Sequence, residues 1–68
     1  MELKINNQTK HFSAKSLTVQ ALLDLEIPLK QNGIAVAINN TVIPKSNWNL
    51  HPIQETDTIL IISATQGG

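Results

Sequence analysis

Cysteine is missing from this chain of 68 residues, and only one tryptophan and one phenylalanine supply its aromatic content. Without cysteine there is no disulfide staple, no thiolate metal site and no cysteine nucleophile, so packing must hold the fold. An excess of charge is missing as well: five Lys and Arg residues balance five Asp and Glu. The lysines are scattered, which gives no electrostatic footprint for nucleic acid or for an anionic membrane. Long hydrophobic runs are also lacking, since Thr58 to Ala64 falls far short of the roughly 20 residues that cross a bilayer. The opening MELKINN alternates polar and apolar residues and has no apolar signal core, so a cytoplasmic protein is expected. A domain of this size buries only about 60% of its unfolded surface and has little room for an enclosed active site.

What is present reads as a mixed α+β domain. Met1, Leu3 and Ile5 alternate with Glu2 and Lys4, the period of a strand with one buried face. Asn6, Asn7 and Gln8 supply turn chemistry, and TKHFS can return antiparallel. Ser16 or Thr18 can cap a helix with apolar positions Val19, Leu22, Leu23 and, as a further candidate, Leu25, and Pro28 stops it. After the Asn32-Gly33 turn, IAVAIN is apolar on both faces and reads as a well-covered strand. TVIP gives a brief edge strand, KSNWNLHP an irregular connection anchored by Trp48, and Gln54 to Asp57 a turn before the strand TILIISA. This order predicts a β-grasp: a mixed sheet of about five strands, one helix on one face, and the first and last strands parallel in the middle.

Alternation in the last strand puts Ile59 and Ile61 on one face and Leu60, Ile62 and Ala64 on the other. Because Glu2 and Lys4 mark the outer face as solvated, Ile59 and Ile61 are assigned to the core. Leu60, Ile62 and Ala64 then form an exposed apolar patch that a partner could bury. The alternatives are a register that swaps the two sets, or surface apolar residues with no role. The expected division is a domain over residues 1–64 and a flexible tail over 65–68, because Thr65-Gln66-Gly67-Gly68 has nothing apolar to hold it down.

Two of the chain's three glycines stand together at positions 67 and 68. Glycine lets backbone pass where a Cβ would collide, so the pair makes a thin thread into a narrow site, with the Gly68 carboxylate at its tip. A carboxylate is a poor electrophile until attack on the α-phosphate of ATP makes AMP the leaving group; a sulfur or nitrogen nucleophile can then take the acyl group. Magnesium and phosphate ligands would belong to the activating enzyme, so this chain needs no catalytic side chain and no cofactor of its own.

VAINNTVIP, then Trp48, His51, Asp57 with its TILII strand, the TVQALLDL helix start and the final Gly67-Gly68 resemble the ThiS-type sulfur carrier family of thiamine biosynthesis. The resemblance runs over essentially the whole chain. It implies a ubiquitin-like β-grasp protein that is a carrier rather than an enzyme. It further implies that a ubiquitin-activating-like adenylyltransferase adenylates Gly68 and that sulfur from a cysteine desulfurase converts it to a thiocarboxylate. Thiazole synthase would then receive that sulfur. Gly67 and Gln66 would give access to the partners' active sites, and the related carriers' partner surface falls here on Ile62. Two departures stand out: Glu55-Thr56-Asp57 replaces a common Asp-Gly-Asp, and Gln66 stands where a small residue is usual.

Other residues read more plainly. His11 and His51 lack a second ligand at metal-binding spacing, so no metal site is expected. Trp48 suits core closure. Asp24, Glu26, Glu55 and Asp57 have no pocket to set them up as catalytic carboxylates. A molybdopterin synthase small subunit is a second carrier reading, though such chains are usually longer and carry aromatic and proline residues before the tail. A conjugating ubiquitin-like modifier would have arginine in the tail, and a β-grasp interaction module would use no acyl chemistry.

Overall fold

The computed structural model describes residues 1–29 and 31–63. The alternation at the start becomes strand β1 (Glu2–Ile5), with Leu3 and Ile5 buried and Glu2 and Lys4 exposed. Asn6 and Asn7 both take positive φ, 51° and 68°. This pair of left-handed residues closes a two-residue hairpin whose twist matches its strands, and asparagine tolerates it. Strand β2 (Gln8–His11) returns antiparallel, with His11 opposite Glu2 and Gln8 opposite Ile5.

A two-residue strand β3 (Leu17–Thr18) leads into helix α1 (Val19–Glu26). Of the two candidate caps it is Thr18 that serves, its hydroxyl accepting from the Ala21 amide at 3.2 Å. Val19, Leu22 and Leu23 are buried, but Leu25 is 59% exposed. At about 100° per residue Leu25 lies roughly 200° around the helix from Leu23, off the buried stripe. Ile27 ends the helix, donating its amide to the Leu23 carbonyl at 2.8 Å, and Pro28 prevents continuation.

Strands β4 (Ile34–Ile38) and β5 (Thr41–Ile43) form a second hairpin, again closed by an Asn-Asn pair, Asn39 at φ 51° and Asn40 at φ 70°. A 3-10 turn (Lys45–Asn47) and strand β6 (Pro52–Ile53) follow, then β7 (Thr58–Ser63). The β3 and β6 segments pair antiparallel as a small separate ribbon. No sequence period announces them, because two residues are too few to alternate. The ribbon arises because Val19 and Gln20 donate their amides to the carbonyls of His51 and Trp48, tying the connection to the start of α1. The expected turn over Gln54 to Asp57 is present, closed by the Asp57 amide on the Gln54 carbonyl at 2.9 Å. Its residues avoid positive φ, so the missing glycine of the Asp-Gly-Asp pattern is not needed there.

The main sheet runs β2-β1-β7-β4-β5, with β1 parallel to β7 and the other neighbours antiparallel. Helix α1 closes one face, burying Val19, Leu22 and Leu23 with Leu3, Ile5, Val36, Ile38 and Ile59. Trp48 plugs the end of this core at 2% exposure, and its indole N–H donates to the Ile43 carbonyl at 2.9 Å. The expectation that β4 is covered on both faces needs correction: Val36 and Ile38 are buried, whereas Ala35 is exposed and Ala37 half-buried. Nothing in the described chain crosses the outer face of the sheet here, and alanine is small enough to stand at a surface at little cost.

Candidate partner surface and the end of the last strand

The facing of β7 follows from its register. Ile38 lies opposite Ile59 and Val36 opposite Ile61 on the core side; Ala37 lies opposite Leu60 and Ala35 opposite Ile62 on the outer side. Leu60 and Ile62 are accordingly 45% and 49% exposed, against 1% for Ile59. Val42 of β5 stands opposite Ala37 and is 66% exposed. Leu60, Ile62 and Val42 therefore rise around the low floor made by Ala35 and Ala37. The other half of this face is polar: Lys4 lies beside Thr9 and Thr58, and Glu2 beside His11. Val42, Ala35 and Ala37 were not anticipated as part of the patch; the period-two reading of IAVAI and TVI contained the signal. Ala64, Gln66, Gly67 and Gly68, and with them the division of domain from tail, lie outside the described residues.

Strand β7 is held by asparagine at its start and along its β1 side, which the local sequence periods do not announce. At its start, the Asn39 amide donates to the Thr58 carbonyl at 2.9 Å, and the Thr58 amide donates to Asn39 Oδ1 at 2.9 Å. Asn39 is the next antiparallel partner in register, but its turn conformation swings its own carbonyl away, and the side-chain oxygen replaces it. On the β1 side, the Asn6 amide donates to the Ile59 carbonyl at 2.9 Å. The Ile61 amide donates to Asn6 Oδ1 at 2.8 Å, and Asn6 Nδ2 donates to the Ile61 carbonyl at 3.2 Å. The same replacement thus serves an antiparallel and a parallel ladder. The two Asn-Asn pairs were the available signal, since each marks a left-handed turn directly after a strand.

Several other polar side chains hold structure. Asp57 accepts from Asn39 Nδ2 and from the Gln54 amide, both at 2.9 Å. Gln31 and Gln20 donate to Asp24 Oδ1 at 2.8 and 2.9 Å, and these bonds keep its carboxyl below the ordinary aspartate value. Glu26 pairs with Lys10 at 2.6 Å. His11 stands exposed on β2, and His51 serves through its backbone. Among the described residues no group of three or more His, Cys, Asp or Glu is placed to hold a metal ion, and no helix is long and apolar enough to cross a membrane.

A five-stranded mixed sheet with parallel central strands, one helix across one face and an apolar patch on the other defines a ubiquitin-like β-grasp domain. The crystal structure of a thiamine biosynthesis protein, ThiS, from Geobacter metallireducens has the same fold, with a TM-score of 0.87, 22% identity and complete coverage of both chains. An NMR solution structure of a thiamine biosynthesis protein from that organism gives a TM-score of 0.81 at 23% identity, covering this chain fully and 88% of the other. Residues 2–68 match the ThiS family, and the chain belongs to it, a family of sulfur carrier proteins of thiamine biosynthesis that act as carriers rather than catalysts. The Escherichia coli (strain K12) sulfur carrier protein ThiS is 34% identical over 68 residues, spanning both chains completely. A thiazole synthase of Paramagnetospirillum magneticum is 35% identical over all 68 residues of this chain, which correspond to 20% of its own length.

Proposed function

We propose that this protein carries sulfur as a thiocarboxylate on Gly68 and delivers it to thiazole synthase. The observation that carries the reading is the exposed pair Leu60 and Ile62 on the strand leading toward Gly67-Gly68, in a chain whose family match extends to Gly68. The Gly68 carboxylate attacks the α-phosphate of ATP, releasing pyrophosphate and forming an acyl adenylate. The terminal sulfur of a persulfide from a donor such as a cysteine desulfurase then attacks the acyl carbon and displaces AMP; a thiol of the partner system cleaves the resulting acyl disulfide, ending in a disulfide itself and releasing the thiocarboxylate. ATP and magnesium are handled by a ubiquitin-activating-like adenylyltransferase, with the reaction in the cytoplasm. Gly67 and Gln66 belong to a tail over residues 65–68 that enters the partner sites. Leu60, Ile62 and Ala64 make the surface the partners grip.

The thiazole synthase relative supports the delivery step, because one fifth of its length resembles this whole carrier. The test is intact mass after incubation with activating enzyme, ATP and a sulfur source, for the full chain and for a chain lacking Gly68. Oxidation of Met1 adds nearly the mass gained when sulfur replaces oxygen, so the product is also trapped with a thiol-reactive reagent. An alkylatable product on the full chain alone is expected; no product, with binding intact, would favour a β-grasp interaction module.

A further inference from the structure

Closing the β1–β2 hairpin requires only that Asn6 and Asn7 reach positive φ. The Asn6 side chain does something additional. In the parallel register Lys4 lies beside Thr58 and Ile5 beside Ile59, and at Asn6 the chain turns away from β7. A glycine there would leave the amide and carbonyl of Ile61 bare on this side. The Asn6 carboxamide meets both, at 2.8 and 3.2 Å, and so extends the sheet by one step without extending the strand. By the period of two, Ser63 is the next residue to face this side, one step past the carboxamide.

We propose that Asn6 is a positioning residue for the end of β7, holding its β1 side at Ile61 while β4 pairs with the other side as far as Ser63; this rests on the carrier reading above. Fully extended, the five residue steps from Ser63 to Gly68 would span at most about 17 Å, so a tilt of about 20° at Ser63 would displace the far end by about 6 Å. Activation of a terminal carboxylate demands far finer placement. Ile62, turned outward by its pairing opposite Ala35, thus follows directly on a residue held from both β1 and β4. A partner then receives the patch on a strand held from both sides and need not order that strand itself.

The test compares wild type with Asn6→Gly, which suits the left-handed turn but removes the carboxamide, and Asn6→Asp, which keeps an acceptor for the Ile61 amide. Two quantities are read: amide hydrogen exchange, and KM and kcat for the carrier in ATP–pyrophosphate exchange by the activating enzyme. In Asn6→Gly the Ile61 amide should exchange faster while Leu22 and Leu23 keep their protection. Its KM should rise about tenfold, the scale of a lost hydrogen-bonded constraint, with kcat unchanged. Asn6→Asp should fall between the two. An unchanged KM in Asn6→Gly would overturn the proposal, as would unchanged Ile61 exchange or loss of helix protection in parallel with it. Wild type inert toward ATP would instead sink the carrier reading on which the proposal rests.

Discussion

At its start β7 is gripped from the β4 side: Asn39 bonds Thr58 through backbone and side chain, and Asp57 in turn holds the Asn39 carboxamide and the Gln54 amide. Further along, where β1 ends, β7 is gripped from the β1 side by Asn6, which spends both polar atoms of its carboxamide on Ile61. The residue type, the left-handed turn and the replaced carbonyl are common to both. The difference lies in what backs the clasp: a carboxylate and a closed turn at the start, and the mere end of a strand at the exit. The clasp at the start is backed by a carboxylate, and the clasp at Ile61 stands on the carboxamide alone.

Changes at two positions have the largest expected effects. Deleting Gly68 should abolish thiocarboxylate formation entirely and leave the melting temperature unchanged, as read by thiol trapping and thermal unfolding; residual product would place the chemistry elsewhere. Asn39→Ala should be the costly change at the start of β7. Alanine in the left-handed region costs about 1–2 kcal/mol, and the lost bond to Thr58 adds about 1. Against a total of roughly 3–10 kcal/mol for a domain this size, denaturant unfolding should show a large fraction lost. Asn39→Gly should recover the strain part only. If both variants unfold like wild type, the clasp at the start is ornamental and the contrast collapses.

The sequence made some of this plain and hid the rest for identifiable reasons. Strand β1, the buried stripe of α1 and the facing of β7 follow from local periods, and the structure places Leu3, Ile5, Val19, Leu22, Leu23 and Ile59 in one core. The coverage of β4 could not be judged, because alanine counts as apolar whether or not anything lies over it; only the sheet order shows Ala35 facing outward. The two Asn-Asn turns were legible as turns. Their clasps were not, since Asn6 and Ile61 are 55 positions apart and meet only once the parallel register is set. The ribbon of β3 and β6 likewise depends on where Trp48 lodges.

Smaller effects should divide along the same line. Ile62→Asp places charge on a half-exposed outer position, so stability should shift by no more than about 0.5 kcal/mol. Affinity for the activating enzyme should fall about tenfold or more if Ile62 is a central anchor of the contact. Calorimetric titration reads the second quantity, and unchanged affinity would remove the patch from the partner surface. Val42→Asp, across the same patch but away from the exit, should weaken binding less.

The smallest effect concerns the pair that braces the β2 edge against the end of α1, Lys10 with Glu26. The lysine side chain is 43% exposed and the glutamate 21%, so solvent screens their attraction even at 2.6 Å. Lys10→Ala should therefore cost only about 0.2–1 kcal/mol. A double-mutant cycle with Glu26→Gln isolates that coupling, and repeating it at about 1 M salt, where the screening length is about 3 Å, should erase most of it. If the exit end is set by Asn6, Lys10→Ala leaves the carrier's KM where it was. A rise in KM matching that of Asn6→Gly would mean that the brace, and not the carboxamide, orients the last strand.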